Sequence, residues 1–126
     1  MRIEKLDHVN LRTTQLEAMI EWYVEVLGMT NGKRPGFPFP GAWIYAGDAA
    51  VVHLVGIEGE AAVGSEVSLK MEHVAFRAVG AEAFEARLKA RGARYQKAVI
   101  EEVSTVAFNV WDPDGNHVHV DFVLGE

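Results

Sequence analysis

Five histidines stand in this chain of 126 residues, and four of them fall into matched pairs. His8 lies in Asp7-His8-Val9-Asn10-Leu11 and His73 in Glu72-His73-Val74-Ala75-Phe76. Each is preceded by an acid and followed by valine, then any residue, then an apolar one. His53 and His119 lie later, each inside an alternating apolar run. These pairs, together with Arg12 and Arg77 and with Gly28 and Gly92, recur at a spacing of roughly 65 residues, the mark of a duplicated module. Neutral imidazole is a ligand for borderline divalent metals, and several imidazoles converging on one point are best explained by an ion. A lone histidine on a strand is more often a hydrogen-bonded core or surface residue, so it is the repetition that argues for ligation. The expected set is His8, His53, His73 and His119 around one divalent ion (Zn, Ni, Fe(II), Mn or Co). Binding by neutral imidazole is expected to weaken as pH falls through roughly 6.5. His117 reads as a further cavity residue, a proton shuttle or a surface side chain beside a turn, with the last preferred.

The elements that must position these side chains follow from periodicity. Leu16, Met19, Ile20, Tyr23, Val26 and Leu27 recur at helical spacing until Gly28, and Thr14 with Glu17 fits a capping box at the start. Ala81, Phe84 and Leu88 mark a shorter helix ended by Gly92. Strands are expected at 3–12, 42–46, 50–56, 69–78, 95–102, 105–111 and 117–124, with a weaker one near 29–33. Gly47-Asp48 and Asp112-Pro113-Asp114-Gly115-Asn116 are the turn signals. Each half therefore reads strand, helix, three strands. Side chains alternate faces along a strand. Val9 and Leu11 then oppose His8, Asn10 and Arg12, while Val52 and Leu54 oppose His53. Val74 and Phe76 oppose His73 and Arg77, and Val118, Val120 and Phe122 oppose His117, His119 and Asp121. Each half has a greasy face fit for its helix and a second face bearing histidine.

Composition narrows the function classes. Lys+Arg 12 against Asp+Glu 18 gives a formal net charge of −6, and there is no basic run, so nucleic acid is not an expected partner. Without cysteine there are neither disulfides nor thiolate metal sites. The start of the chain has no apolar run of signal length, and no stretch is apolar enough to span a bilayer, so a cytoplasmic protein without membrane contact is expected. Residues 1–126 read as one domain, with modules 1–56 and 69–126 joined by a polar linker at 57–68. The segment from Asn31 to Gly41 holds Pro35, Pro38 and Pro40 yet also Phe37 and Phe39, which a purely solvated loop would not need. With Trp43 and Tyr45 these rings are candidates to wall an apolar or aromatic ligand, or belong to the core. Arg12, Arg77, Lys33 and Arg34 are candidates to hold a substrate carboxylate or phosphate, or are solvated charges.

Several segments carry a family resemblance: Leu6-Asp7-His8-Val9, Trp22-Tyr23, Val26-Leu27-Gly28-Met29, Gly41-Ala42-Trp43, Val52-His53-Leu54, Glu72 to Phe76, and Asp112 to Asn116. Together they resemble the vicinal oxygen chelate superfamily, which includes glyoxalase I, bleomycin-resistance proteins and extradiol dioxygenases, and most closely its glyoxalase-like single-domain members. The resemblance implies an α+β fold in which two βαβββ modules form a curved eight-stranded mixed sheet, a cup with helices outside. It implies a divalent metal, a small-molecule substrate chelated through vicinal oxygens, and a homodimer. His8 and His73 match first-strand ligands, and His53 falls where a carboxylate or another ligand is common. His119 falls where the family has a glutamate that binds metal and, in glyoxalase I, moves a proton. This chain departs there. His119 and Asp121, the nearest carboxylate on that face, become the candidate catalytic residues. The implied activity is lyase or isomerase chemistry of the glyoxalase type. The alternatives are an Fe(II) extradiol-type dioxygenase and a non-catalytic drug- or metabolite-binding protein.

Overall fold

The computed structural model describes residues 1–2, 4–59 and 71–126. The chain separates into two compact units, Met1–Ala62 and Val63–Glu126. From residue 60 onward the expected linker lies outside the described residues, as do residue 3 and residues 69–70 of the strands expected there.

In the first unit the order is β1 (Val9–Thr13), α1 (Leu16–Glu25), β2 (Thr30–Gly32), β3 (Gly41–Ala46) and β4 (Ala49–Gly56). The sheet runs β1-β4-β3-β2, with β1 parallel to β4 and the other pairs antiparallel. The second unit repeats this plan. It has β5 (Val74–Arg77), α2 (Ala81–Ala90), β6 (Tyr95–Ile100), β7 (Thr105–Trp111) and β8 (His117–Val123), in sheet order β5-β8-β7-β6. The fold is α+β, two βαβββ modules, each with its own mixed four-stranded sheet and helix.

Alternation decides which face each helix covers. Met19 and Tyr23 of α1 are buried, as are Ala42 and Ile44 of β3 and Val52 and Leu54 of β4. In the second unit Phe84 of α2 packs on Phe108 and Phe122, with ring centroids 5.4 and 5.7 Å away, and Leu88 is fully buried. Removing these aliphatic and aromatic faces from water supplies the main driving force for each module. Both helices are closed by a glycine with positive φ, 71° at Gly28 and 60° at Gly92, a conformation that only glycine adopts without steric cost. No helix among the described residues is long and apolar enough to cross a membrane.

Three local expectations need correction. The Thr14/Glu17 capping box does not form: Gln15 takes the cap position without a side-chain cap bond, and Thr13 Oγ1 accepts the Gln15 N–H at 3.0 Å. Thr13 ends β1 and is buried, so its hydroxyl, not that of Thr14, faces the first turn. Of the strands expected over 3–12 and 69–78, the described residues are in strand only from Val9 and Val74, where, among the described residues, each ladder opens at Val9–Val52 or Val74–Val118. His8 and His73 therefore sit one residue before their strands. The strand expected at 95–102 stops at Ile100, where a short 3-10 turn, Glu101–Val103, and Ser104 with φ 48° redirect the chain into β7.

The two turns that set the registers form as expected. Gly47-Asp48 joins β3 to β4 between the paired Ala46 and Ala49. Asp112 Oδ1 accepts the backbone N–H of Asp114 at 3.0 Å and of Asn116 at 2.9 Å, fixing the β7–β8 hairpin.

Candidate functional site

Register places the polar side chains of each sheet in rows on the face turned away from its helix. In the first unit the row is Asn10, His53, Trp43. In the second the matching row is Ala75, His119, Asn109, flanked by the pairs Trp111–His117 and Arg77–Asp121. Asn109 thus holds in the second unit the place that Trp43 holds in the first.

The second unit gathers three imidazoles. His73, His117 and His119 each offer a ligand atom, and these atoms lie within 4.8 Å of one another. The rings of His73 and His119 are stacked, 3.8 Å apart and 3° from parallel, while His117 stands at 62° to both. Glu72 joins two of them. One carboxylate oxygen accepts from His73 Nδ1, and the other accepts from His117 Nδ1 at 2.9 Å. A neutral histidine that donates from Nδ1 carries its lone pair on Nε2, so Glu72 sets the His73 tautomer in which Nε2 is the ligand. The Nε2 of His117 lies 2.8 Å from Asn109 Oδ1, an acceptor that calls for an N–H on that nitrogen, so His117 reaches an ion only by giving up that proton and releasing the contact. An imidazole ligates in its own ring plane, so joint ligation by the parallel His73 and His119 requires one ring to turn.

His117 is the main correction to the sequence reading. Instead of a surface side chain it is 9% exposed, stacked on Trp111 at 5.1 Å and held at both ring nitrogens. The Asp112–Asn116 turn contained the signal: a hairpin closed there pairs residue 111 with 117 and 109 with 119, bringing Asn109 and Trp111 to the histidine face. Asp121 lies on that same face, and its Oδ1 is buried with no hydrogen-bond partner among the described residues.

Burial, then the neighbouring His73 and His117, hold the pKa of His119 below the ordinary imidazole value. The Glu72 carboxyl is held below its usual range by its hydrogen bonds to His73 and then His117, so it stays an anion that accepts from both.

The first unit builds a related but different arrangement. Asp7 Oδ2 accepts from His8 Nδ1 at 2.6 Å, repeating the acid-histidine contact of Glu72 and His73. His53 Nε2 donates to the Ala50 carbonyl at 3.1 Å, which leaves its lone pair on Nδ1. Burial, then His8, lowers the His53 pKa. His8, His53 and Trp43 form one continuous stack. It borders a cavity of about 730 Å³ that Phe37, Phe39 and Tyr45 also line. Arg34 lines it too, but Arg12 does not, and both Arg12 and Arg77 are exposed. The four histidines singled out by the repeat are therefore found as two stacked pairs, His8 with His53 and His73 with His119, one in each unit.

Residues 5–120 match the model of the Glyoxalase/Bleomycin resistance protein/Dioxygenase superfamily. The chain belongs to this superfamily. It is 25% identical over 127 residues to the Arabidopsis thaliana protein named Glyoxylase I 4, covering 95% of this chain and 71% of that one. In fold it is similar to a glyoxalase-family protein of Bacillus anthracis, with TM-score 0.79, 21% identity and 98% of each chain covered. It is also similar to a lactoylglutathione lyase of Agrobacterium tumefaciens, with TM-score 0.70, 18% identity, and 96% of this chain and 95% of that one covered. These solved structures bear on the fold alone.

Proposed function

We propose that the protein is a metal-dependent enzyme of the glyoxalase type, performing lyase or isomerase chemistry on a small substrate that presents two vicinal oxygens. The observation supporting this is the trio of His73, His117 and His119, in a chain of this superfamily. The donor set fits a borderline divalent ion such as Zn, Ni, Co or Fe(II): three imidazole nitrogens, with one acid in contact with two of the rings. His73 and His119 would hold the ion, joined by His117 once its Nε2 leaves Asn109. The repeat extends the ligand proposal to His8 and His53. When bound, a divalent ion supplies Lewis-acid stabilisation of negative charge on a substrate oxygen. Three neutral imidazoles bring no negative charge of their own, so the carboxylate chemistry falls to Asp121. Asp121 would take and return the proton, the role a glutamate at position 119 would otherwise fill.

Metal content of the purified protein, followed by turnover of hemithioacetals, acyl-CoA epimers and catechols, tests this reading. The expected result is one divalent ion per chain and activity on one of the first two classes, lost in Asp121→Asn with metal retained. Oxygen uptake on a catechol with Fe(II) would instead establish the extradiol alternative, and protein that binds no metal would leave a binding protein. We further propose a homodimer. Strand β6 is an edge of its sheet, and its exposed Val99 and Ile100 invite pairing with a second copy. A monomer by light scattering at micromolar concentration would refute it.

A further inference from the structure

Asn109 marks a place where the two units differ. In the first sheet the same register position is taken by Trp43, which covers the ring of His53 with centroids 4.1 Å apart and planes 9° from parallel. Stacking of this kind engages the π surface of an imidazole and leaves the nitrogens in its edge to other partners. In the second sheet Asn109 lies directly opposite His119 and diagonal to His117 across the β7–β8 pairing. A diagonal neighbour is within reach of a polar side chain, and Asn109 Oδ1 meets His117 Nε2 at 2.8 Å.

The other contacts of His117 fix the ring without occupying Nε2. Trp111, its direct partner across the hairpin, lies 5.1 Å away and 12° from parallel, and the Arg94 guanidinium sits 4.0 Å from the centroid of that indole. Glu72 engages Nδ1 at 2.9 Å. His117 is buried, so the ring has little room to swing. The Asn109 side chain is half-buried and turns about two bonds. Of the two groups at this contact, the amide is the one free to withdraw. Its withdrawal removes the acceptor that calls for an N–H on Nε2.

We infer that Asn109 is a latch on the imidazole cluster, holding His117 in reserve and thereby setting how tightly the cluster takes an ion. The inference rests on the metal reading above and adds to it a residue that tunes affinity. With the latch closed, His73 and His119 are the imidazoles on offer, and with it open His117 is the third. Recruiting His117 gives up one hydrogen bond, which lowers affinity by roughly two- to tenfold. A residue that merely supported the cluster would have the opposite sign, since losing a support loosens the ligands and weakens binding.

The test is a calorimetric titration of Zn²⁺ into metal-free protein. Asn109→Leu keeps the branched outline of the amide without its acceptor, and it is expected to bind Zn²⁺ roughly two- to tenfold more tightly than the parent. Asn109→Val also lacks the acceptor, suits a strand, and should show a gain of the same sign. The gain must run through His117. Combined with His117→Phe, which keeps a flat ring against Trp111 but has no nitrogen, Asn109→Leu should leave Zn²⁺ affinity where His117→Phe alone puts it. Nuclear magnetic resonance of the parent, which needs no variant, should show the Asn109 side-chain amide signals moving as Zn²⁺ is added. The inference alone is overturned if the parent binds Zn²⁺ and both Asn109 variants bind no more tightly. It is overturned equally by a gain that persists with His117→Phe, or by amide signals that stay in place. A parent that takes up no Zn²⁺ would overturn the metal reading and the latch together.

Discussion

Metal-free protein carrying His73→Ala is expected to bind Zn²⁺ or Ni²⁺ about 100-fold more weakly than the parent, or worse. Altering a group that only orients a ligand typically costs 10- to 100-fold, so removing a ligand outright costs at least the upper end of that range. His73 also touches both other imidazoles and Glu72, so its loss unties Glu72 from one of its two partners. The side chain is 37% exposed, and alanine there leaves the core of Phe84, Phe108 and Phe122 intact. The fold should survive, as thermal melting of the metal-free variant can verify. Acid sharpens the measurement. The pKa of His119 is lowered, mainly by burial, so the folded state takes up fewer protons on this ring than the unfolded chain does. Its contribution to stability is therefore complete above the unfolded value of 6.5 and is lost as pH falls from there toward the lower folded value. By the same shift, His119 remains neutral and able to ligate at pH values where a free imidazole has begun to protonate. Retention in the parent should begin to fail below pH 6.5, later than for an unshifted histidine. If His73→Ala titrates with the parent's affinity, His73 is not a ligand and the binding-protein reading takes precedence.

The modules were legible because their determinants are local and are stated twice. The matched acid-histidine-valine segments, the two glycines that close the helices and the Asp112–Asn116 turn need only strand alternation and helix periodicity to be interpreted. Parity also put His53 and His119 on the face away from the helices, and the aromatic residues at 37, 39, 43 and 45 all line one cavity. What alternation along a single strand does not convey is which neighbour a side chain meets across strands. His117 looked like a turn-side residue because its burial depends on Trp111 and Asn109, from the other arm of its hairpin, and on Glu72, a distant position brought alongside by the β5–β8 pairing. Glu72 in turn was visible only as half of a repeated motif. That its carboxylate serves two histidines is a property of tertiary placement, and the first unit, where Asp7 serves His8, gives no hint of it.

The double role of Glu72 supplies the second large expected effect. A carboxylate presents two acceptor oxygens, and here each takes the Nδ1–H of a different imidazole. Glutamine has nearly the same shape but one acceptor and one donor. Glu72→Gln can therefore accept from one histidine only. At the other it presents an N–H, which favours a lone pair on Nδ1 and moves the ring proton to Nε2, the atom needed for ligation. The negative charge beside the two rings is lost as well; in the parent those two hydrogen bonds hold the Glu72 carboxyl below its usual range. Affinity of the metal-free protein for Zn²⁺ should fall roughly 10- to 100-fold. The side chain is 55% exposed, so the fold should hold. A loss of affinity alone would not separate orientation from general damage, but the ring nitrogens do. In ¹⁵N spectra of the metal-free variant, His73 or His117 should change tautomer, while His53, whose Nε2 contacts Ala50 in the other unit, should not. Glu72→Asp keeps the two acceptors on a shorter stem and should fall between parent and glutamine variant in both affinity and spectrum. Should the glutamine variant bind Zn²⁺ as the parent does, with both Nδ1–H signatures preserved, Glu72 orients neither ring, and its contacts are those of an ordinary surface acid.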